Sequence, residues 1–325
     1  MDLVIMGPDG TALRQTDDFS LDLAYGDDEN DFELSAVSGP AISQGMRWCV
    51  DGTPYGGIVD TLGISVASDG VTALSYRGRD VHGVMAAKVV QPDAGQAYLT
   101  VSGEANSVIG RMLSRLSVDS WLRASAADSG IQVSGYRFNR YVDLWAGLRM
   151  MLVSVSARLS VSFVDGSPVL SAVPSDTYGD VPSELVDFDA ERTYRPVNHL
   201  IGLGTGELAE RQVVHWYADA QGSVSQTQTL FGLDEVAEAY DLSSESDDLS
   251  GKTRAKLEDY QGQGTFEVDL PEGAGLDVGD RVAASDAVTG LSVTAEVIKV
   301  VVKVSAGSPT ISYETGTPQW PEEED

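Results

Sequence analysis

The sequence predicts a mainly β protein interrupted by an α+β insertion. Three observations predict it. Apolar and polar residues alternate with period two in stretches of residues 1–80 and again of 181–325, the pattern of half-buried strands. Between about residues 81 and 157 the apolar spacing changes to three and four, the pattern of one helix face. Turn signals such as Gly7-Pro8-Asp9-Gly10, Asp51-Gly52-Thr53-Pro54 and Asp165-Gly166 recur at intervals that suit short strands. Three domains are expected: a β domain over 1–80, an inserted α+β domain over 81–180, and a second β domain over 181–325. The last carries a charged helical excursion near 235–262 and an acidic tail expected to be disordered at its end.

Charge separates the same regions. The 325 residues hold 50 acids against 21 bases, a formal net charge of -29. Residues 1–80 are net -10, residues 81–180 are neutral and residues 181–325 are net -19. Such a balance argues against gripping nucleic acid through its phosphates, which takes clustered Lys and Arg. The single cysteine, Cys49, excludes an intramolecular disulfide and, with no CxxC or Cys/His set, a zinc site; it reads as a small buried apolar residue. No leader peptide is expected, because Leu3 to Met6 is too short for one and lacks a basic flank. No apolar run reaches the length of a membrane span, so stable membrane insertion is not expected.

Each element follows from its residues. Phe19, Leu21, Leu23 and Tyr25 alternate with Ser20, Asp22 and Ala24, and Phe32, Leu34 and Ala36 follow across the loop Gly26–Asp31, predicting a hairpin. Further strands are expected at 46–50, 57–59, 64–67 and 71–77. Val81, Val84, Met85 and Lys88 share a helix face. Val108, Ile109, Met112, Leu113 and Leu116 share another, with Asn106 or Ser107 as N-cap. A third helix is predicted over 139–155. Leu159, Val161 and Phe163 then alternate into an Asp165-Gly166 turn.

Around Tyr194–Arg211 the chain changes character. Pro196 favours extended backbone before it, and Leu200, Ile201 and Leu203 are interrupted by Gly202, Gly204 and Gly206. This reads as a buried strand running into a tight turn, the glycines serving close approach or positive φ. A strand pair around Asp219–Gly222, an irregular or helical charged stretch over 247–260, and strands at Phe266–Leu270 and from Leu291 onward complete the pattern. In the last of these the apolar phase shifts near Val297, predicting a β-bulge.

Catalytic constellations are sparse. No GxSxG, HExxH, phosphate-binding loop or dinucleotide fingerprint occurs, so no cofactor is expected. The loop Gly-Asp-Asp-Glu-Asn-Asp at 26–31 invites a calcium reading. Counted from Asp27, however, the positions an EF-hand gives to Gly and Glu hold Phe32 and Ser38. A solvated acidic hairpin tip accounts for the same residues. His215 and Asp219 could be drawn as a hydrolase dyad, yet a chain with 50 acids places one near every histidine.

The order of features resembles the baseplate or tail-tip hub proteins of tailed phages, namely the Gp37-like tail hub family of siphophages and, more distantly, the central hubs of contractile tails. The residues that carry the resemblance are DFELSAV at 31–37, YRGRD with VHGVMAAKVVQPDAG at 76–95, and YRFNRYVDLWAGLRMML at 136–152 followed by LSVSFVDG. They continue with RPVNHLIGLGTGELAER at 195–211, GLDVGDRVAASDAVTG at 275–290 and ISYETG at 311–316. No one motif is specific; their joint order carries the resemblance.

The resemblance implies two tail-tube-like β-barrel domains flanking a helical/β domain, three chains forming a ring that matches the tail tube. It implies a structural role at the virion tail tip after assembly in the bacterial cytoplasm. Partners would be other copies of the chain, the distal tail or tail tube protein, the tape-measure protein and tip or fibre proteins, with DNA only in transit. Relatives with peptidase or muralytic activity carry it in a C-terminal extension, and with the sequence stopping at Asp325 that activity is not expected. Carboxylates lining the ring would repel DNA over about 8–10 Å. Candidates are Asp27, Asp28, Glu29, Asp31, Glu245, Asp247 and Asp248. Two other classes stay open: a carbohydrate- or receptor-binding β module using Trp216, Tyr217 and Trp320, and a hydrolase using His215 and nearby acids.

Overall fold

The computed structural model describes residues 1–36, 42–66, 72–179, 187–242, 248–262, 264–271, 274–286, 288–305 and 307–320. The chain forms two compact units, one of residues 1–186, 270–283 and 296–316, the other of 187–269, 284–295 and 317–325.

The first region supplies strands β1 (Leu3–Met6), β2 (Ala12–Thr16), β3 (Phe19–Gly26), β4 (Asn30–Ala36), β5 (Arg47–Val50), β6 (Gly56–Val66) and β7 (Thr72–Asp80). The middle supplies helix α1 (Val81–Ala86), β8 (Thr100–Glu104), α2 (Ala105–Arg115), β9 (Arg123–Ala124), β10 (Gln132–Arg137) and α3 (Leu144–Val153). It ends with β11 (Ala157–Val164), β12 (Ser167–Pro174) and β13 (Thr177–Tyr178). Then come β14 (Asp187–Arg192), β15 (His199–Leu203), β16 (Val213–Ala218), β17 (Val224–Ser225), β18 (Ala237–Asp241) and α4 (Leu249–Tyr260). The chain closes with β19 (Gly264–Asp269), β20 (Arg281–Ser285), β21 (Ser292–Ser305) and β22 (Ser308–Thr315). The fold is mainly β with helices gathered between 81 and 153, plus α4 in the charged excursion. Among the described residues no helix is long and apolar enough to cross a membrane.

The strands do not close into a barrel. They form an open eleven-stranded sheet in the order β13-β20-β21-β3-β4-β7-β6-β5-β1-β2, with β22 pairing β21 off this path. Closure would require β2 to pair with β13, and among the described residues they do not pair; α1 packs with α3 and lies against β3, β4, β6 and β7. Nor do the C-terminal strands make a barrel of their own, because β21 pairs antiparallel with β3, Val302 facing Leu23 and Lys303 facing Asp22. The separate predicted strands at 57–59 and 64–67 are one strand, β6, with a bulge between Val59 and Thr61. The bulge expected near Val297 is present, between Val297 and Lys299 on the β22 side.

The inward face of this sheet buries Leu21, Leu23, Phe32, Leu34, Val59 and Tyr76, as the alternation requires. Beside them lies a buried polar network. His82 Nδ1 is 2.6 Å from Asp80 Oδ2, and Asp80 also accepts from Gly83 N, capping α1. The His82 ring stacks on Tyr25 at 4.3 Å and meets Trp145 edge-on at 4.6 Å. Trp145 Nε1 in turn donates to the Gly26 carbonyl at 2.8 Å. Burial pushes the Asp277 carboxyl above its ordinary value, with Tyr25 donating to it and Arg158 opposing the shift. Asp280, fully buried, accepts from Arg158 Nε at 2.6 Å, Asp176 N at 2.7 Å and Asp277 N at 2.8 Å.

Helix α2 is capped differently from the expectation. Its N-cap is Glu104, neither Asn106 nor Ser107, because the longer side chain reaches both Asn106 N at 2.9 Å and Ser107 N at 2.8 Å. The same carboxylate accepts from Ser129 N and Oγ. Burial works to raise its pKa, but these donors outweigh burial and hold it at about 2. Glu104→Ala is therefore expected to cost about 1–2 kcal/mol. Because the folded-state value is depressed, the contribution is present above the ordinary carboxylate range and lost as pH falls toward about 2. Thermal melts of parent and variant should differ clearly at pH 6 and converge near pH 2; a constant difference would refute the assignment.

The second unit contains a four-stranded sheet in the order β17-β16-β15-β18 and the pair β14–β19. On one face of the four-stranded sheet α4 packs on β15 and β16, where Leu200, Ala218 and Leu257 form a small core. The glycines of the central stretch do what their residue type suggests. A Cβ at Gly202 would stand 2.0 Å from Thr253 Oγ1, and Gly206 has φ +102°.

Candidate functional site

The chemistry of the first unit concentrates on the outward face of its large sheet. Period two sends Leu21 and Leu23 inward and Asp22 and Ala24 outward, and the register sets Glu33 opposite Asp22 and Asp31 opposite Ala24. β7 continues the face with Arg77 opposite Glu33 and Arg79 opposite Asp31, while β21 adds Lys303 opposite Asp22 and Lys299 opposite Gly26.

Arg77 Nε donates to Glu33 at 2.9 Å. Arg79 grips Asp60 with two bonds, of 2.8 and 2.9 Å, and its donation first, despite opposing burial, holds that carboxyl below its ordinary value. Lys303 Nζ is 3.3 Å from Asp22. Lys299, almost wholly buried, sits among Glu29 at 2.8 Å, Asp28 at 3.4 Å and Glu314 at 3.5 Å. Burial first, then the neighbouring carboxylates of Glu29, Asp80 and Asp22, raise the Asp31 pKa against the opposing charge of Lys299. β3, β4, β6, β7 and β21 carry four cations, Arg77, Arg79, Lys299 and Lys303, and every one is engaged by a carboxylate. A cavity of about 490 Å³ within this charge lattice has Asp22, Asp31, Glu33, Asp60, Arg77 and Arg79 in its lining.

The sequence-predicted acids distribute unevenly. Asp28, Glu29 and Asp31 belong to this surface. Asp27 is turned to Arg149, with which it pairs. Asp248 lies in the second unit, where its side chain caps α4 by accepting from Gly251 N at 2.9 Å. Glu245 and Asp247 lie outside the described residues, as does the end of the acidic tail. Asp22, Glu33 and Asp60 were missed as candidates, although the alternation that places Asp22 between Leu21 and Leu23, and Glu33 between Phe32 and Leu34, already sends the first two outward. No group of three metal-ligating side chains occurs among the described residues.

The drawn dyad of His215 and Asp219 is not formed. Asp219 Oδ1 accepts from Gln221 N and Ser223 N of its own turn, both at 2.9 Å. His215 Nδ1 lies 2.8 Å from His199 Nε2, and His199 Nδ1 lies 2.6 Å from Glu235 Oε1. In the arrangement where His199 donates to Glu235 through Nδ1 and carries no second proton, its Nε2 accepts from His215 Nδ1. Tyr217 stacks on His199 at 4.4 Å. Trp216, the next residue along the strand, points to the α4 face and donates to Ser250 Oγ at 3.1 Å. These two aromatics therefore do not share an open face.

No family model matches the chain, and no curated protein does. Tail proteins are among the solved structures similar to it. They include a tail protein from Neisseria meningitidis MC58 (14% identity, 97% of this chain and 96% of that one, TM-score 0.47). The prophage tail protein gp18 from Listeria monocytogenes EGD-e is similar at 9% identity, over 98% of this chain and 95% of that one, with TM-score 0.47. The 43 kDa tail protein of prophage MuSo2 from Shewanella oneidensis is similar at 12% identity, over 97% and 98%, with TM-score 0.48.

Proposed function

We propose that this chain is a non-enzymatic structural hub at the tip or baseplate of a phage or prophage tail, forming a threefold ring through which DNA passes. The order of sequence motifs implies the role. The single observation that carries it is the outward face of β3, β4, β6, β7 and β21: carboxylates in excess, and the four cations of these strands already held by acids. A polyanion moving along these strands meets cations that are already paired, so few counterions are exchanged and it slides without sticking. In this reading Asp22, Asp28, Glu29, Asp31, Glu33 and Asp60 face the DNA path. Residues 1–80 and 181–325 supply the ring and 81–180 the inserted domain. Neighbours in the tail would be the tube or distal tail protein, the tape-measure protein and tip or fibre proteins.

Imaging of tails that carry a tagged copy tests the placement. The expected density is threefold and on the tail axis; a stable dimer, or a position off the axis, overturns the proposal. In tails that assemble normally, Asp22→Lys with Asp31→Lys should lower DNA delivery at low ionic strength by about tenfold, recovering as salt screens the new charges. Unchanged delivery would remove the role assigned to the acids.

A further inference from the structure

Two histidines of the four-stranded sheet bring their ring nitrogens together on the face turned away from α4. The register of β15 on β16 sets His199 opposite Tyr217 and Ile201 opposite His215, so the two imidazoles are diagonal neighbours on one face. His199 Nε2 stands 2.8 Å from His215 Nδ1. The other nitrogen of His199, Nδ1, is held by Glu235 Oε1 at 2.6 Å. Tyr217 stacks on His199 at 4.4 Å and lies within 14° of parallel to His215. His199 is only 9% exposed, whereas His215 is open to solvent.

A histidine whose far nitrogen is fixed by a carboxylate has the arrangement of a metal ligand. The carboxylate keeps the ring proton on Nδ1 and leaves the Nε2 lone pair to the ion. His215 can present Nδ1 in the same way. Its Nε2 has no hydrogen-bond partner among the described residues and can carry the one ring proton instead, a change of tautomer that takes up and releases no net proton.

The spacing decides which ion fits. Two nitrogens 2.8 Å apart, each about 2.0–2.1 Å from a metal, subtend about 85° at it. That is close to the right angle of a tetragonal site and well short of the tetrahedral angle that zinc takes; tetragonal sites of nitrogen and oxygen suit Cu(II) and Ni(II), of which Cu(II) binds more tightly. Residues 181–325 are net -19, a field that draws a dication in. The third histidine, His82, is buried against Asp80 and Tyr25 in the first unit and does not compete.

We infer that His199 Nε2 and His215 Nδ1 chelate one Cu(II) ion, with Glu235 as the positioning residue behind His199 and water in the remaining coordination positions. The site is independent of the tail role proposed above and stands or falls apart from it.

Titration of the full chain with Cu(II) near neutral pH, read by pulsed electron paramagnetic resonance, tests it. The parent should take up one tight equivalent with a tetragonal spectrum and two imidazole nitrogens directly bound. His215→Ala should weaken that equivalent about 100-fold, the scale of turning a chelate into a single contact, and leave at most one imidazole. Glu235→Gln keeps both ligands, so the two-imidazole spectrum should persist while affinity falls about tenfold. A parent with no saturable first equivalent, a spectrum of oxygen ligands or of one imidazole, or a His215→Ala variant that binds as tightly as the parent would each overturn the inference. The parent's spectrum decides without any variant having to fold. An affinity unchanged in Glu235→Gln would overturn the role given to Glu235.

Discussion

Asp280→Ala is expected to cost the first unit about 3–5 kcal/mol, the scale of stranding a buried charge. Asp280 is fully buried and serves three donors at once: Arg158 Nε at 2.6 Å, Asp176 N at 2.7 Å and Asp277 N at 2.8 Å. Its removal leaves two backbone N–H groups unsatisfied and a guanidinium, 17% exposed, without its main counter-charge. Asp277 compensates poorly, since its contact with Arg158 is 3.6 Å and its own burial disfavours ionisation. Arg158→Met on the Asp280→Ala background should recover a substantial part of the loss, because the unpaired charge goes with it. Denaturant unfolding of the four proteins of this cycle checks the account. A loss under about 1 kcal/mol for Asp280→Ala, the level of an exposed ion pair, would refute it.

Gly202→Val is expected to destabilise the second unit by about 3 kcal/mol, by overpacking. The first added carbon alone would stand 2.0 Å from Thr253 Oγ1 and 2.9 Å from Val214 Cγ2. Thr253 cannot turn aside easily, being fully buried with its hydroxyl donating to Leu249 O at 2.7 Å. The sheet and α4 must separate, and the Leu200, Ala218 and Leu257 core that they share opens. Hydrogen exchange over Leu249–Tyr260 should accelerate in the variant. Adding Thr253→Ala should restore about half of the stability by removing the closest atom. Exchange at the parent's rate would show that the helix is not seated on Gly202.

The local elements were legible because each reports a property of neighbouring residues. Alternation of Phe19, Leu21, Leu23 and Tyr25 with Ser20 and Asp22 specifies a strand with one wet face, and β3 is that strand. Helical spacing marked α1, α2 and α3, and the Asp165-Gly166 turn is present with both residues at positive φ. Even the bulge near Val297 was written in the apolar phase of one strand. The surface was legible in part, since parity alone sends Asp22, Asp31 and Glu33 to the same side as one another.

Pairing between distant segments was not legible. Nothing near Ser292–Ser305 says that it pairs with Phe19–Gly26, because apolar alternation is the same signal whichever strand lies alongside. For the same reason the sequence could not say that the sheet stays open, since closure depends on whether two edges far apart in the chain meet. The capping of α2 by Glu104 escaped the preference for short side chains because Ser129, twenty-five residues away, helps to hold the carboxylate. The partner of His215 is not the acid nearest along the chain, since its neighbours are set across strands by the register of β16 on β15. The sequence by itself determined the strand and helix types, the turns and the surplus of acid. The tertiary structure alone decided which acids share a face and which of them hold a cation, because that depends on contacts between residues tens to hundreds of positions apart.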